Sequence, residues 1–394
     1  MEPFMYTAEE LFGWLSGKPD FILLDVRNEK EFSNWNVEGP NICPYINIPY
    51  FHFMEGVQQS VDLIPKNQKV RIVCAKEGSA KYVAELLTKN GFDDVGYLKQ
   101  GIVGWGNALV SKLVSPAGAA YKLYQFVRPG KASCSYMLLQ GGEAMVFDPA
   151  RNIEAYVKVA EENGCRIVRT FETHRQADYI SGCQLLAKAT GAVIAANRLD
   201  FEGAAFPYDE VVDGDCITCG GSGGAEVRAI HTPGHTMGST CYLVDGKYLL
   251  SGDTVFINTA GRPDLGGKWE EWARELYLTL MVKLRDLDDE VLVLPGHYTN
   301  WDEANEDHLL MEKMGVLRNT VIAFRLPTEL KFREFIRDNM RTQPGVYAEI
   351  RRVNGGWLEV TPEKADVMDL GKNECGASNY GKVGVSAESQ RQTS

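Results

Sequence analysis

A short segment with two histidines and an aspartate restricts the fold of this chain more than any other feature. Residues 231–235 read His-Thr-Pro-Gly-His, and the proline and glycine exclude a helix there, so the imidazole of His235 lies on a turn. Residues 240–250 read as a β-hairpin with Asp-Gly as its turn, and the second strand ends shortly before Asp253. A turn imidazole and a strand-end carboxylate at one sheet edge predict half of a metal site.

A second histidine segment lies upstream and supplies the other half. The predicted strand over residues 166–173 ends directly before His174. The segment that follows resembles the metal loop of the metallo-β-lactamase superfamily, which reads His-x-His-x-Asp-His after a strand. His174 and Asp178 match that pattern, whereas Gln176 and Tyr179 stand in place of its second and third histidines.

These replacements indicate a particular branch of the superfamily. The two-zinc hydrolases need both missing histidines, but the persulfide dioxygenases use the positions of His174, His235 and Asp253 for one iron. The resemblance therefore implies a single Fe(II), since two imidazoles and one carboxylate leave coordination positions open for a persulfide sulfur and dioxygen. Three other segments follow in the family's order: Gly-Arg-Pro-Asp at 261–264, Leu-Pro-Gly-His at 294–297 and Pro-Gly-Val-Tyr-Ala-Glu-Ile-Arg at 344–351.

The resemblance also implies roles for three residues around the iron. Asp178 and His297 match residues that bind the second metal in two-metal relatives. Without that metal, we expect both of them, together with Tyr179, to support the remaining ligands through hydrogen bonds.

Two further polar residues near the motif have alternative roles. The arginine that matches Arg262 lies near the substrate pocket in the family, and its guanidinium would suit the carboxylates or phosphates of a thiol carrier. The alternative for Arg262 is a salt bridge to Asp264 or Glu270. His231 matches the outer histidine of the turn, and we expect a structural hydrogen bond there rather than metal binding.

The first 113 residues alternate predicted strands and helices, as in a small α/β domain that closes with a helix over 101–113. Cys74 ends a strand and precedes a loop that leads into a helix. Loop N–H groups, the helix N-terminus and Lys76 are expected to favour its thiolate. With Asp25-Val-Arg and Gly101-Ile-Val-Gly-Trp, this segment resembles a single-domain rhodanese, which implies that Cys74 carries sulfane sulfur.

Two alternatives remain open for Cys74. The loop after it lacks the arginine that would hold an oxyanion such as thiosulfate, so a persulfide donor or a sulfur acceptor fits the sequence better. Cys74 is otherwise a buried strand-end cysteine without chemistry.

The fold class follows from these two resemblances. We predict an α/β protein with a rhodanese-like domain over 1–113 and a linker of small residues over 114–120. A four-layer αββα metallo-β-lactamase-like domain follows over 121–365, and a polar, glycine-rich tail covers 366–394.

Composition excludes several classes of protein. A net charge of −12 without Lys/Arg-rich runs argues against nucleic acid and anionic membranes as partners. We expect neither a secretory signal nor a membrane span, since the first residues lack a basic and apolar leader and no run of about 18 apolar residues occurs. Nine scattered cysteines read as reduced thiols, and we therefore predict a cytoplasmic protein.

The predicted function is oxidation of a low-molecular-weight thiol persulfide to sulfite by dioxygen, at one Fe(II) per chain, with sulfur transfer by Cys74. The alternatives are a zinc-dependent thioester hydrolase of the glyoxalase II kind and a sulfur carrier with a non-catalytic second domain. The sequence leaves open which thiol carries the sulfur and whether the protein is a homo-oligomer.

Overall fold

The computed structural model describes residues 2–377, and contacts between residues divide them into two compact units. The first unit comprises residues 2–110, 127–132 and 361–372. The second comprises residues 111–126, 133–360 and 373–377. Across these described residues, every helix is too short or too polar to cross a membrane.

The first unit contains a five-stranded sheet in the order β1-β5-β4-β2-β3, in which all neighbouring strands are parallel. Its strands are β1 Phe4–Tyr6, β2 Phe21–Asp25, β3 Tyr45–Asn47, β4 Lys69–Val73 and β5 Val95–Leu98. Every residue of β2 is buried, because helices cover both faces of a parallel sheet and continuous apolar strands satisfy that environment.

Six helices connect and cover these strands. They are α1 Ala8–Ser16, α2 Glu29–Asn34, α3 Tyr50–Glu55, α4 Val57–Asp62, α5 Gly78–Lys89 and α6 Gly101–Asn107. Thr7 and Glu10 cap α1 reciprocally. The predicted closing helix over 101–113 was too long, since α6 ends at Asn107 and a strand begins at Val110.

The second unit contains two mixed sheets. The first runs in the order β12-β11-β10-β9-β8-β7-β6 and the second in the order β13-β14-β15-β16-β17-β18. The strands of the first are β6 Val110–Leu113, β7 Lys122–Arg128, β8 Ser133–Gln140, β9 Glu143–Phe147, β10 Arg166–Phe171, β11 Val193–Ala196 and β12 Asp209–Glu210. The strands of the second are β13 Cys216–Cys219, β14 Ala225–His231, β15 Thr240–Val244, β16 Tyr248–Gly252, β17 Leu292–Pro295 and β18 Glu312–Lys313.

The two sheets of the second unit meet through buried aromatic side chains. Phe147 and Phe171, on β9 and β10, stack with ring centroids 4.6 Å apart. Tyr242 on β15 of the other sheet lies 5.4 Å and 5.0 Å from them. Such offset and tilted ring pairs stabilise the interface beyond their apolar area, and they hold the sheets so that strand ends from both reach one site.

Eight helices belong to the second unit. They are α7 Glu154–Glu162, α8 Cys183–Thr190, α9 Arg198–Phe201, α10 Trp269–Leu278, α11 Met314–Thr320, α12 Ile322–Arg325, α13 Glu329–Asn339 and α14 Val346–Asn354. A π-helical turn over Thr279–Lys283 continues α10, and a 3₁₀ turn covers Trp301–Glu303. Two mixed sheets with flanking helices confirm the predicted fold of this part of the chain.

The predicted linker over 114–120 is instead the turn between two strands of one sheet. β6 precedes it and β7 follows it, and both lie in the seven-stranded sheet. Within the turn, the hydroxyl of Ser115 accepts a hydrogen bond from the backbone N–H of Leu123. Small residues and a proline suit a tight turn as well as a linker, so composition alone did not distinguish the two.

The boundary predicted at 365/366 is also wrong. Helix α15, Pro362–Met368, crosses it and begins at a Thr361 cap with proline in its first turn. Cys375 and Ala377 are buried at 1% and 3% exposure, although polar residues and glycines surround them in the sequence. The predicted tail over 378–394 lies outside the described residues.

Candidate metal centre

Three loops at the strand ends of both sheets carry the predicted ligands. His174 follows β10 of the first sheet, His235 lies in the loop between β14 and β15, and Asp253 directly follows β16. The β15–β16 hairpin turns at Asp245 and Gly246 as predicted, and both have positive φ, as a tight hairpin turn requires.

The structure brings the three side chains together. One nitrogen or oxygen ligand atom from each of His174, His235 and Asp253 lies within 4.8 Å of the others. Oδ2 of Asp253 is 3.7 Å from Nε2 of His174 and 3.5 Å from Nε2 of His235. All three residues are at most 2% exposed. Their convergence is therefore a feature of the fold, while their role as ligands stays a prediction.

Hydrogen bonds fix both imidazoles with Nε2 towards Asp253. Nδ1 of His235 donates to the backbone carbonyl of Arg262 at 2.9 Å, so its Nε2 presents a lone pair. The Thr173 hydroxyl donates to Asp148 at 2.8 Å and so accepts from Nδ1 of His174 at 3.0 Å. In both rings Nδ1 makes the orienting hydrogen bond and Nε2 is left to bind a metal. Metal-binding imidazoles are usually oriented in this way.

The charges of this group fit a cation. Burial lowers the pKa of His235 to about 4, so its imidazole is neutral near pH 7. Oδ2 of Asp253 accepts no hydrogen bond from any of the described residues. A lone pair of neutral imidazole and an unshared carboxylate oxygen thus face each other in a buried space, which is unfavourable unless a positive ion lies between them.

Two glycines allow Asp253 to occupy its position. Gly252 has a φ of +49°, and a Cβ there would lie 2.3 Å from the hydroxyl of Thr173. A Cβ at Gly296 would lie 2.7 Å from Oδ1 of Asp253. Any larger residue at either position would displace the carboxylate or the hydroxyl that orients His174.

His297 lies between Asp253 and Asp178, and its predicted role in supporting a metal ligand stays a prediction. Its Nδ1 donates to Oδ1 of Asp253 at 2.7 Å, and its Nε2 lies 3.0 Å from Oδ2 of Asp178. Burial by itself would lower the pKa of His297, but the two carboxylates outweigh it and raise the pKa to about 10. The His297 ring therefore lies between the carboxylates of Asp178 and Asp253.

A second group of potential ligands contains a residue that the sequence did not suggest. Asp178, His297 and Cys375 are all buried, and one ligand atom from each lies within 4.8 Å of the others. Burial, then the nearby carboxylates of Asp178 and Asp253, raise the pKa of the Cys375 thiol. Cys375 comes from the C-terminal segment, in a polar stretch without a motif, so no local pattern could have found it.

Two residues, Tyr179 and Arg262, have contacts other than those predicted from the family resemblance. The Tyr179 hydroxyl donates to the backbone carbonyl of Asp148 at 3.2 Å and does not bond a predicted ligand. The Arg262 guanidinium forms a two-bond ion pair with Asp264, with Nε to Oδ1 at 2.7 Å, and also donates to the backbone carbonyl of Arg341. Arg262 is thus held in the salt bridge given as its alternative, so the predicted substrate-binding role does not fit its side chain.

His231 has the structural role expected for it. Its Nε2 lies 2.8 Å from the backbone carbonyl of Met237, to which it donates, within the same loop. This bond closes the turn that carries His235, and His231 lies outside both groups of potential ligands.

The predicted sulfur-carrying cysteine lies in the first unit. Cys74 follows β4 and precedes α5, and backbone N–H groups of Lys76, Ser79 and Ala80 lower its pKa. Burial outweighs these groups, and Asp25 adds to it, so the pKa of the thiol is raised. The expectation of a low-pKa thiolate is therefore wrong for this conformation, in which Cys74 is 3% exposed.

Comparison with known proteins assigns each unit. The family model of the metallo-β-lactamase superfamily matches residues 128–297, and that of the rhodanese-like domain matches residues 7–108. A Mycobacterium leprae protein described as uncharacterized is 31% identical over 198 residues, which cover 43% of this chain and 88% of that protein. The chain belongs to the metallo-β-lactamase superfamily. Its metallo-β-lactamase domain follows a rhodanese-like domain, as the sequence predicted.

Other relatives show how far the similarity extends. A hydroxyacylglutathione hydrolase from Polaromonas is 34% identical over 158 residues, which cover 40% of this chain and 57% of the hydrolase. A metallo-β-lactamase from Staphylococcus aureus, of known crystal structure, has 27% sequence identity to this chain and a TM-score of 0.55. The superposition covers 61% of this chain and 74% of the Staphylococcus aureus chain. ETHE1 from Myxococcus xanthus shares the fold at 20% identity with a TM-score of 0.51, over 60% of this chain and 99% of that one.

Proposed function

We propose that the metallo-β-lactamase domain oxidises a low-molecular-weight thiol persulfide at one Fe(II) held by His174, His235 and Asp253. The balanced reaction is RSSH + O₂ + H₂O → RSH + HSO₃⁻ + H⁺, in which the outer sulfur is oxidised and dioxygen is reduced. The observation that carries the proposal is the buried convergence of two imidazole nitrogens and one carboxylate oxygen. Gln176 and Tyr179 replace the histidines that a two-zinc centre would need.

The chain's own residues supply orientation for this reaction. The carbonyl of Arg262 and the hydroxyl of Thr173 hold the two imidazoles, and His297 holds Oδ1 of Asp253 so that Oδ2 is available to a cation. Bound Fe(II) would supply a redox partner and a template for sulfur and oxygen. All three ligand side chains are buried, so protein atoms surround this group on most sides.

The rhodanese-like domain would exchange sulfur with the same pool of persulfides. The Cys74 thiolate attacks the outer sulfur of RSSH, the S–S bond breaks, and RS⁻ leaves while Cys74 becomes a persulfide. Two activities on one chain raise the effective concentration of their shared intermediate.

An oxygen electrode tests the proposal. Iron-loaded protein should consume one O₂ and form one sulfite for each glutathione persulfide. His235→Gln should abolish this uptake, whereas the matched change His231→Gln, in the same loop but on a structural hydrogen bond, should leave most of it. Iron-loaded protein that forms no sulfite from any persulfide would exclude the dioxygenase.

One observation favours a second candidate, a thioester hydrolase with two metals. The group of Asp178, His297 and Cys375 next to Asp253 offers ligands for a second ion, although the two histidines of the motif are missing. Zinc-loaded protein with two ions per chain that cleaves a hydroxyacylglutathione thioester would support this candidate. One ion per chain and no thioester cleavage would exclude it.

A further inference from the structure

A cavity beside the predicted metal ligands contains two arginines. Its volume is about 270 Å³, and its lining includes His235, Arg175, Arg351 and the apolar side chains of Leu265 and Trp272. We propose that Arg175 and Arg351 form an anion-binding subsite for the carboxylates or phosphates of the thiol that carries the sulfur. This inference rests on the proposed function, since it names the class of substrate for the same site.

The charges of the two arginines are not neutralised by the protein. Burial lowers the pKa of Arg351, and the neighbouring positive charge of Arg175 lowers it further. Nε of Arg175 is buried and has no hydrogen-bond partner in the described part of the chain. Neither guanidinium forms an ion pair with a carboxylate of residues 2–377. Two adjacent like charges, partly buried, are costly to hold together unless an anion binds them.

Asp200, the acidic residue of the lining, bonds to backbone and hydroxyl groups rather than to the two guanidiniums. The Asp200 carboxylate accepts hydrogen bonds from the backbone N–H of Arg175 at 2.9 Å and of Gly238 at 2.9 Å. It also accepts one from the Thr236 hydroxyl at 2.7 Å. Its oxygens are therefore used to shape the loops around the cavity, and the two guanidinium groups remain available.

Arg175 is held in place by an aromatic ring. Its guanidinium carbon lies 5.1 Å from the ring centroid of Trp357. The indole N–H of Trp357 donates to the carbonyl of Gly203 at 2.7 Å, so the ring itself is fixed. A cation over an aromatic face is held through the plane of the guanidinium rather than through its N–H groups.

Arg351 is held through its helix. Asn354, one turn further along α14, donates to the backbone carbonyls of Gln176 and Tyr179, both at 2.9 Å, and accepts from the N–H of Ser181 at 2.9 Å. These bonds fix α14 to the loop that carries His174. The backbone of Arg351 is therefore fixed beside the cavity before an anion binds.

The chemistry of the cavity selects a class of thiol. Two guanidiniums match two carboxylates, as in glutathione, or a phosphate, as in coenzyme A. A neutral persulfide, or hydrogen disulfide itself, has no group for this subsite. The subsite therefore favours a multiply anionic thiol and lowers KM for it without a part in the oxygen chemistry.

Steady-state oxygen uptake tests the subsite with three persulfides: glutathione, coenzyme A and the neutral 2-mercaptoethanol. We expect Arg351→Gln and Arg175→Gln to raise KM for one or both anionic persulfides roughly 10- to 100-fold, with kcat within about twofold. KM for the neutral persulfide should not change. Arg351→Lys should restore part of the affinity, and Arg352→Gln, the exposed next residue of α14, should have no effect.

Comparison of the two anionic persulfides shows whether the subsite binds carboxylates or phosphates. A selective loss with glutathione persulfide indicates carboxylate binding, and a selective loss with coenzyme A persulfide indicates phosphate binding. Equal losses for neutral and anionic persulfides, or unchanged KM in both glutamine variants, would overturn the proposal.

A binding measurement separates this proposal from the proposed function. Tryptophan fluorescence, with Trp272 and Trp357 close to the cavity, can follow titration with glutathione or coenzyme A without turnover. Wild-type protein should bind at least one of these thiols, and Arg351→Gln should weaken that binding at least tenfold. If no persulfide supports oxygen uptake but this binding is present, the dioxygenase fails and the subsite stands. Absence of any difference between wild type and variant would overturn the subsite.

Discussion

Cys74 shows how burial competes with local geometry at a single residue. The loop supplies the N–H groups that a thiolate prefers, but removal from water raises the pKa of the thiol by more than they lower it. At neutral pH the folded protein therefore holds Cys74 as a thiol, and its nucleophilic form increases as the pH rises.

The reaction of Cys74 with iodoacetamide should reflect the raised pKa of its thiol. We expect its labelling rate to keep rising at pH values where an ordinary thiol, with a pKa of about 8.5, has reached its plateau. Mass spectrometry can follow Cys74 and, as an internal reference, the exposed Cys216. A Cys74 that labels fully at pH 7, as fast as in urea, would contradict the buried conformation.

His297 is the residue on which the position of Asp253 depends. His297→Gln removes the hydrogen bond to Oδ1 and leaves Asp178 and Asp253 without the ring between them. Changes to residues that hold metal ligands commonly weaken affinity 10- to 100-fold, and we expect a loss of about that size in iron affinity.

Competition with a chelator measures this loss. The control is His52→Gln, an exposed histidine of the first unit. Equal iron affinity in both variants would mean that His297 does not support a ligand.

At the scale of elements, α14 fixes the loop that carries His174. Asn354 makes three buried hydrogen bonds to the backbone of that loop. Asn354→Ala leaves these groups without partners, and we expect the free energy of unfolding to fall by about 3 kcal/mol. Urea unfolding should show this fall, while Asn319→Ala on an exposed face of α11 should change it by about 0.5 kcal/mol or less. An Asn354→Ala protein as stable as wild type would contradict this role of α14.

Local signals were sufficient for the elements that carry the ligands. The Pro-Gly turn before His235, the Asp-Gly hairpin and the strand before His174 are each specified by a few adjacent residues, and the structure has all three. The turn at 114–120 was mistaken for a linker because its sequence suits both and only the partner strand decides.

Contacts between distant segments could not be predicted in the same way. Cys375 approaches Asp178 across about half the chain, and Arg351 lines the cavity beside His235 because of how α14 packs. Cys375 lies in no recognised pattern, and the 344–351 segment that ends at Arg351 does not by itself indicate this cavity. For Arg262 the sequence left a substrate contact and a salt bridge to Asp264 or Glu270 open, and the structure has the ion pair with Asp264.

At the scale of the whole molecule, the two domains should have separable activities. Asp253→Ala should abolish persulfide-dependent oxygen uptake and leave sulfur transfer from a persulfide to an acceptor thiol measurable. Cys74→Ser should do the reverse. Oxygen uptake and sulfur transfer, assayed on the same preparations, check this division. Loss of both activities in a folded Asp253→Ala protein would contradict it.

His174, His235 and Asp253 are proposed to hold one iron, and the metal content of the protein is the simplest check of this proposal. Protein purified without oxygen from iron-supplemented cells should contain about one iron per chain by elemental analysis. The Asp253→Ala protein, prepared in the same way, should contain almost none. Two zinc ions per chain, or equal iron in both proteins, would contradict a single iron held by these three residues.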